Sequence, residues 1–470
     1  MKNRGGGIGK VKILINGKEV ASDARAASFD PDSKQATINF SIEDHPYLIP
    51  GQENTITVQA YNKEGYLVSR GASITYTPDE KQVDPPNLYG IVVGSSNYRG
   101  ESLDLKYAAK DANDFASALK LVGDKYFGND KVFVKTLTTD NKDFTYWPTK
   151  ENIERTFKEV STTAGPEDVI VVYMSGHGTN YGGAEGDFYF LTSDANNADL
   201  KDPAIRKSVA ISSDEWTEYI KWVPALKQVM VIDACHSGQL ADDIMAARAD
   251  KSSAEIRALE RMKDRTGMYI LSGSAADAVS YETSVYGQGL LTYSLLQGMK
   301  GAALRDEKFV DIMQLFEHSA NTVPQLAKNI GGIQKPEVRV PYGGGSFDIG
   351  IVDVEVQNAI NLPSPKPIFL RSSFQNEDTF NDDLNLSEQL DSSLRDLNAK
   401  DGNEQAIIFV DARKYSDAYS LKGRYQKLGE DYKVDVRIFK GEEIVNKFEI
   451  QSIQEGLKNQ IIDKVLEIIK

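Results

Sequence analysis

The feature that most limits what this chain can fold into is a pair of apolar runs, DVIVVYMSGHG and KQVMVIDACHSG, which close on His177 and Gly178 and on Cys235. Each is rich in β-branched residues and stops abruptly at polar and glycine residues. A strand buried on both faces reads this way where it reaches the carboxyl edge of a parallel sheet. Ligands and chemistry gather at that edge. Cys235 is the only cysteine in the sequence, so its thiol belongs to no intrachain disulfide and to no four-thiolate zinc site.

A lone thiol at a strand end is ordinarily a buried structural residue; to act as a nucleophile it needs a base. The chain has four histidines. His45 lies in an amino-terminal β-rich segment, and His318 in the helical pattern FVDIMQLFEHSANTVPQLAKNI. His236 adjoins the cysteine, and neighbours on a strand point to opposite faces. His177 remains, at the same edge of what should be a neighbouring strand. Gly178 lets backbone approach a substrate, and its N–H can help hold an oxyanion. The constellation reads as a Cys–His dyad.

The blocks YMSGHG and DACHSG, each behind a hydrophobic strand and in this order, resemble those of caspase-like cysteine peptidases, most closely the metacaspase and bacterial orthocaspase branches. The resemblance implies an α/β caspase sheet with helices on both faces, and an oxyanion held by the N–H groups of Gly178 and Cys235. Asp233 stands two residues before Cys235 on one strand, so both side chains belong to one side of the sheet. An acid there favours a cation before the scissile bond. Caspases that select Asp carry Gln at this position, whereas metacaspases carry Asp. Their basic-residue pocket also uses an acid of the first helix and a serine before the histidine, which match Asp111 and Ser175. Asp277, in LSGSAADAVSYE, is a further candidate for the same cleft.

The stretch after Cys235, ADDIMAARADKSSAEIRALERMKDRTG, corresponds to the segment between large and small subunit portions in caspase-like proteins. Arg248, Lys251, Arg257, Arg261, Lys263 and Arg265 are candidate self-cleavage positions, the alternative being a solvated surface helix. Some metacaspases need calcium. Asp242 falls at a matching distance after Cys235, and Asp187 is the first of several aspartates scattered after the histidine block, but a hard cation needs several converging oxygens. The expectation is therefore that no cofactor is required, with calcium as the alternative.

Along the chain, 1–10 reads as a flexible lead; its GGGIGK lacks the spacing and the Ser or Thr of a phosphate loop. Residues 11–78 alternate at period two between turns, as in a small immunoglobulin-like β-sandwich. A charged linker, 79–87, precedes alternating strands and helices over 88–350, the caspase-like peptidase domain. Residues 351–470 read as an α+β accessory domain. The formal net charge of -15 argues against a nucleic-acid partner. No run is long and apolar enough to span a bilayer, and one cysteine fits a reducing, cytoplasmic setting. The expected partners are protein substrates with Arg or Lys before the cleaved bond, and a regulatory protein docking on the flanking domains. The alternatives are a catalytically silent caspase-fold adaptor and a peptidase selecting Asp.

Overall fold

The computed structural model describes the chain except for residues 82–83, 183–185, 237–247, 274–281, 284, 330–332, 364, 399–405, 410–417 and 470, and the side chains of 235–236, 248–253, 282–283 and 329. Two compact units make it up: Met1–Glu282 with Gln288–Leu362, and Thr283–Gly287 with Pro363–Lys470.

The first unit begins with β1 (Val11–Ile15), β2 (Lys18–Ala21), β3 (Asn54–Ala60) and β4 (Ala72–Tyr76), all antiparallel in the order β2-β1-β3-β4. Among the described residues this is one sheet and not a two-sheet sandwich. β4 is exposed along its whole length, so it carries no inward face for a second sheet to cover. Nor are the first ten residues a loose lead. The Met1 ammonium donates to the Ala36 carbonyl at 2.7 Å, the Ile8 N–H to Pro31 at 2.7 Å, and Ile8 is buried. Gly9 passes so close to Asn62 that a Cβ would lie 1.9 Å from its carbonyl oxygen.

Strands then alternate with helices: β5 (Leu88–Gly94), α1 (Ala108–Phe127), β6 (Val132–Thr138), α2 (Lys150–Ser161), β7 (Val169–Tyr181), β8 (Asp187–Leu191), α3 (Pro203–Val209), β9 (Ala210–Ser212), α4 (Ser213–Trp222), β10 (Lys227–His236), α5 (Arg248–Thr266), β11 (Tyr269–Ser272), α6 (Leu290–Gln297) and α7 (Ile312–Asn329). The sheet runs β11-β10-β7-β5-β6, all parallel, with Glu337–Arg339 antiparallel at the β11 edge. Burial on both faces explains the unbroken apolar runs. Ile170, Val172, Met174, Met230 and Ile232 meet Phe157 of α2, Trp216 and Ile220 of α4, and Leu259 and Met262 of α5. α1 covers the opposite face, where Phe115 stacks on Tyr173 with ring centres 4.4 Å apart, and α6 and α7 pack beside it. Each fully buried side chain of this size contributes about 2 kcal/mol. Local signals agree: Thr149 caps α2, and Ser212 with Glu215 forms a capping box on α4.

The opening sheet is bound to this core by buried charges. Lys18 Nζ donates to the carbonyls of Ile220 at 3.1 Å, Val223 at 2.5 Å and Ala225 at 3.2 Å, where α4 ends. Burial pushes the Lys18 pKa well down, yet three acceptors use all three ammonium hydrogens, so the site is built for the charged form. Glu19 meets Lys221 at 3.0 Å, Arg265 of α5 at 3.0 Å and Lys12 at 3.7 Å.

The second unit is α+β. Strands Tyr419–Leu428, Asp431–Lys440 and Glu443–Ser452 form a meander, extended by short strands that pair parallel with its first member or with one another. Helices Leu386–Asn398 and Gln454–Ile469 bury Leu390, Leu394, Leu457, Ile461 and Val465 in its core. Its boundary falls later than position 351. The Val352 N–H donates to Lys308 at 2.9 Å and the Ile360 carbonyl accepts from Lys300 Nζ at 2.7 Å, which ties this stretch to the first unit.

Candidate active site

β7 and β10 lie side by side in parallel register, and their last paired residues are Asp233 with Ser175, Ala234 with Gly176, Cys235 with His177, and His236 with Gly178. The two blocks read from sequence therefore meet at one edge. β7 does not stop at the histidine; it runs on to Tyr181 and turns antiparallel against β8. His177 sits at that change of partner. Gly178 is demanded here by packing, because a Cβ would lie 2.5 Å from the Phe188 ring.

His177 is buried, and its Nε2 lies 2.7 Å from the Leu103 carbonyl oxygen. A carbonyl only accepts, so Nε2 carries the hydrogen and Nδ1 holds the basic lone pair of the neutral ring. Among the described residues no group hydrogen-bonds to Nδ1. The backbone N–H of His177 donates to the Tyr98 hydroxyl at 3.0 Å, and the Tyr98 ring lies against the imidazole, with centres 5.3 Å apart. Burial lowers the His177 pKa and the Leu103 carbonyl opposes that only in part, so the ring is neutral at pH 7. Leu103 and Tyr98 belong to the loop between β5 and α1, and no sequence pattern marks a loop carbonyl as a partner.

Asp111 and Asp233 come together at the start of α6. Asp111 Oδ2 accepts from the Gly289 N–H at 3.0 Å; Asp233 Oδ2 accepts from the Thr292 N–H at 3.3 Å and from its hydroxyl at 2.7 Å. Gly289 is the N-cap of α6 and offers no side chain, so the two carboxylates cap this helix from other elements. Both converge on one point: a Cβ on Gly289 would lie 2.8 Å from Asp111 Oδ2 and 3.0 Å from Asp233 Oδ2. Gly273, after β11, leaves similar room, with a Cβ 3.2 Å from Asp233 Oδ1. Ser175 is buried and directly opposite Asp233 in the register. The sequence reading missed Gly273, Gly289 and Thr292; the glycine that opens GLLTYSLL was the available signal.

Asp277 and Asp242 lie outside the described residues. Asp187 accepts from Ser213 at 3.1 Å and pairs with Arg261 at 2.8 Å. Among the described residues no group of three or more His, Cys, Asp or Glu could hold a metal ion. Arg248, Lys251, Arg257, Arg261, Lys263 and Arg265 all fall in α5. Arg261, Lys263 and Arg265 are held by Asp187, Glu260 and Glu19 respectively, which favours the helix over a cleavable loop for those positions.

Parallel sheet, helical cover and paired strand ends define a caspase-type α/β domain. Residues 89–341 match the caspase domain of peptidase family C14, and the chain belongs to that family. It is 28% identical over 235 residues to Metacaspase-2 of Arabidopsis thaliana, a match covering 46% of this chain and 54% of the relative. Metacaspase-3 of the same plant is 27% identical over 236 residues, covering 46% and 62%. Metacaspase-4 is 27% identical over 149 residues, covering 31% and 33%. The chain thus spans about half the length of the first two. Among the described residues no helix is long and apolar enough to cross a membrane.

Proposed function

We propose that the chain is a cysteine endopeptidase that hydrolyses peptide bonds after Arg or Lys. The observation that carries this reading is the pairing of Cys235 with His177 at the ends of adjacent parallel strands, beside two buried carboxylates that converge on Gly289. Nδ1 of the neutral His177 ring takes the proton of the Cys235 thiol, the resulting thiolate attacks the carbonyl carbon, and the N–H groups of Gly178 and Cys235 stabilise the oxyanion. The His177 imidazolium gives its proton to the departing amine as the C–N bond breaks, which leaves a thioester and a neutral ring. Nδ1 then takes a proton from water, whose oxygen attacks the thioester; the C–S bond breaks, the acid product departs, and Nδ1 returns the proton to sulfur, restoring the thiol and the neutral ring.

Asp233 and Asp111, with Ser175 beside them, receive the substrate's cationic side chain. For self-cleavage, Arg248 and Lys251 at the start of α5 are the better positions, since a helix's first turn has the fewest internal hydrogen bonds. The reaction as written uses no metal. The one thiol fits a reducing compartment, and we place the protein in the cytoplasm on that ground. The carboxyl-terminal unit is assigned to a regulatory partner.

The test is cleavage of matched fluorogenic peptides ending in Arg, Lys or Asp by the intact chain and by Cys235→Ala, each with calcium and with a chelator. Hydrolysis after Arg or Lys that vanishes in the variant supports the reading, and the chelator arm decides the metal. Cleavage after Asp alone overturns the pocket assignment; silence in every arm favours the adaptor.

A further inference from the structure

The pocket carboxylate Asp233 does not hold its orientation alone. Thr292, in the first turn of α6, donates both its N–H and its hydroxyl to the same oxygen, Oδ2. The Thr292 hydroxyl in turn lies 2.6 Å from the Tyr173 phenol, and both side chains are fully buried. A hydroxyl has one hydrogen. With that hydrogen given to the carboxylate, the phenol must be the donor to Thr292, so the hydrogen bonds run one way, from Tyr173 to Thr292 to Asp233. Tyr173 is fixed from the other side by its stack on Phe115 of α1, the helix that carries Asp111. Tyr173 also stands two residues before Ser175 on β7, on the same side of the sheet.

We infer that Thr292 and Tyr173 are specificity-positioning residues: a one-way relay from Tyr173 through Thr292 aims the Asp233 carboxylate at the cationic side chain of the substrate. The inference rests on the proposed Arg or Lys selection. Neither residue touches the substrate. A carboxylate turning about its last bond would offer a guanidinium or ammonium only part of its charge, and the relay removes that freedom. Donors to an ionised group are the stronger kind of hydrogen bond, so loss of one is read in substrate affinity.

The experiment compares Thr292→Val, which keeps the N–H and the shape but removes the hydroxyl, with Thr292→Ser, which keeps both donors, and with Tyr173→Phe. Steady-state kinetics on Arg and Lys peptides are paired with the rate of Cys235 alkylation by iodoacetamide, which reads only this thiol because the chain has no other cysteine. The expected result for Thr292→Val is a fall in kcat/KM of about 10- to 100-fold, carried by KM, with the alkylation rate unchanged. Thr292→Ser restores most of it, and Tyr173→Phe lowers kcat/KM by roughly threefold to tenfold. If the unmodified chain cleaves after Arg or Lys and Thr292→Val keeps its KM, the relay inference is overturned alone. It is likewise overturned if alkylation falls in step with kcat and Ser brings no rescue, because the role is then structural. If the unmodified chain cleaves only after other residues, the pocket reading falls and the inference with it.

Discussion

Glu19 and Asp233 are both buried acids, and the fold surrounds them differently. Burial pushes the Glu19 pKa up, but the hydrogen bond from Lys221 and the charges of Arg265, Lys221 and Lys12 outweigh it and hold the group below its ordinary value. Those cations come from the chain itself, so the charge is cancelled internally and the result is adhesion: the opening sheet is fastened to α4 and α5. Asp233 is held by a backbone N–H and a hydroxyl from Thr292, and Asp111 by the N–H of Gly289. The donors described for these two acids are neutral, and a neutral donor fixes a carboxylate without cancelling its charge. The described donors thus differ, being cations at Glu19 and an N–H and a hydroxyl at Asp233.

The sharpest way to break this contrast is to neutralise each acid in turn. Asp233→Asn keeps an oxygen for Thr292 to donate to, so the fold should hold. We expect kcat/KM for Arg and Lys peptides to fall by about a thousandfold, roughly 4 kcal/mol, with the thermal midpoint unchanged or raised. A stability loss as large as the activity loss would make Asp233 a structural helix cap. Glu19→Gln should do the reverse. Three cations then face an amide, stability drops by about 3 to 4 kcal/mol in denaturant titration, and kcat/KM per folded molecule stays the same. Lys18→Met leaves the carbonyls at the end of α4 without their donor and should cost about 2 to 3 kcal/mol, again without changing peptide selectivity. A changed Arg-to-Lys ratio in either of these two variants would erase the distinction.

How much of this was legible beforehand follows from the range of each interaction. The central strands were readable because burial on both faces forces unbroken apolar runs, and the meeting of His177 and Cys235 because both stand where such runs end. Asp233 and Ser175 came with them, two register steps away. α6 was readable as a helix, but not that its first turn receives carboxylates 59 and 178 residues distant in sequence. Lys18 and Glu19 look like solvated charges in a hairpin; their partners at Val223, Lys221 and Arg265 lie more than 200 residues away. The basic residues of α5 left a helix and a cleavable segment both open for the same reason. A charge's role is set by what the tertiary fold brings to it, which neither period nor spacing records.

Glu255, in α5, extends the comparison to a third kind of buried acid and the smallest expected effect. Its neighbours are the Ser272 hydroxyl at 3.3 Å, Asn180, Glu337 and Arg339. The Arg339 charge is shared with Glu260, 2.9 Å away, and with Glu337. Burial dominates, and the Glu255 pKa is pushed up to about 7 from 4.5, with the charge of Glu337 adding to it. Here a proton supplies what three cations supply to Glu19. Between pH 4.5 and 7 the folded chain binds more protons at this site than the unfolded chain, so its contribution to stability is complete below pH 4.5, declines as pH rises through 7, and is flat beyond. The full shift corresponds to roughly 3 kcal/mol. Because a glutamine still needs partners for its amide, Glu255→Gln should recover about 1 to 2 kcal/mol at pH 8.5 and almost nothing at pH 4.5. Thermal melts of both proteins at the two pH values check this. An equal difference at both would mean that Glu255 stays ionised with Arg339 as its counter-ion, and would place it with Glu19 among the acids whose charge the fold itself cancels.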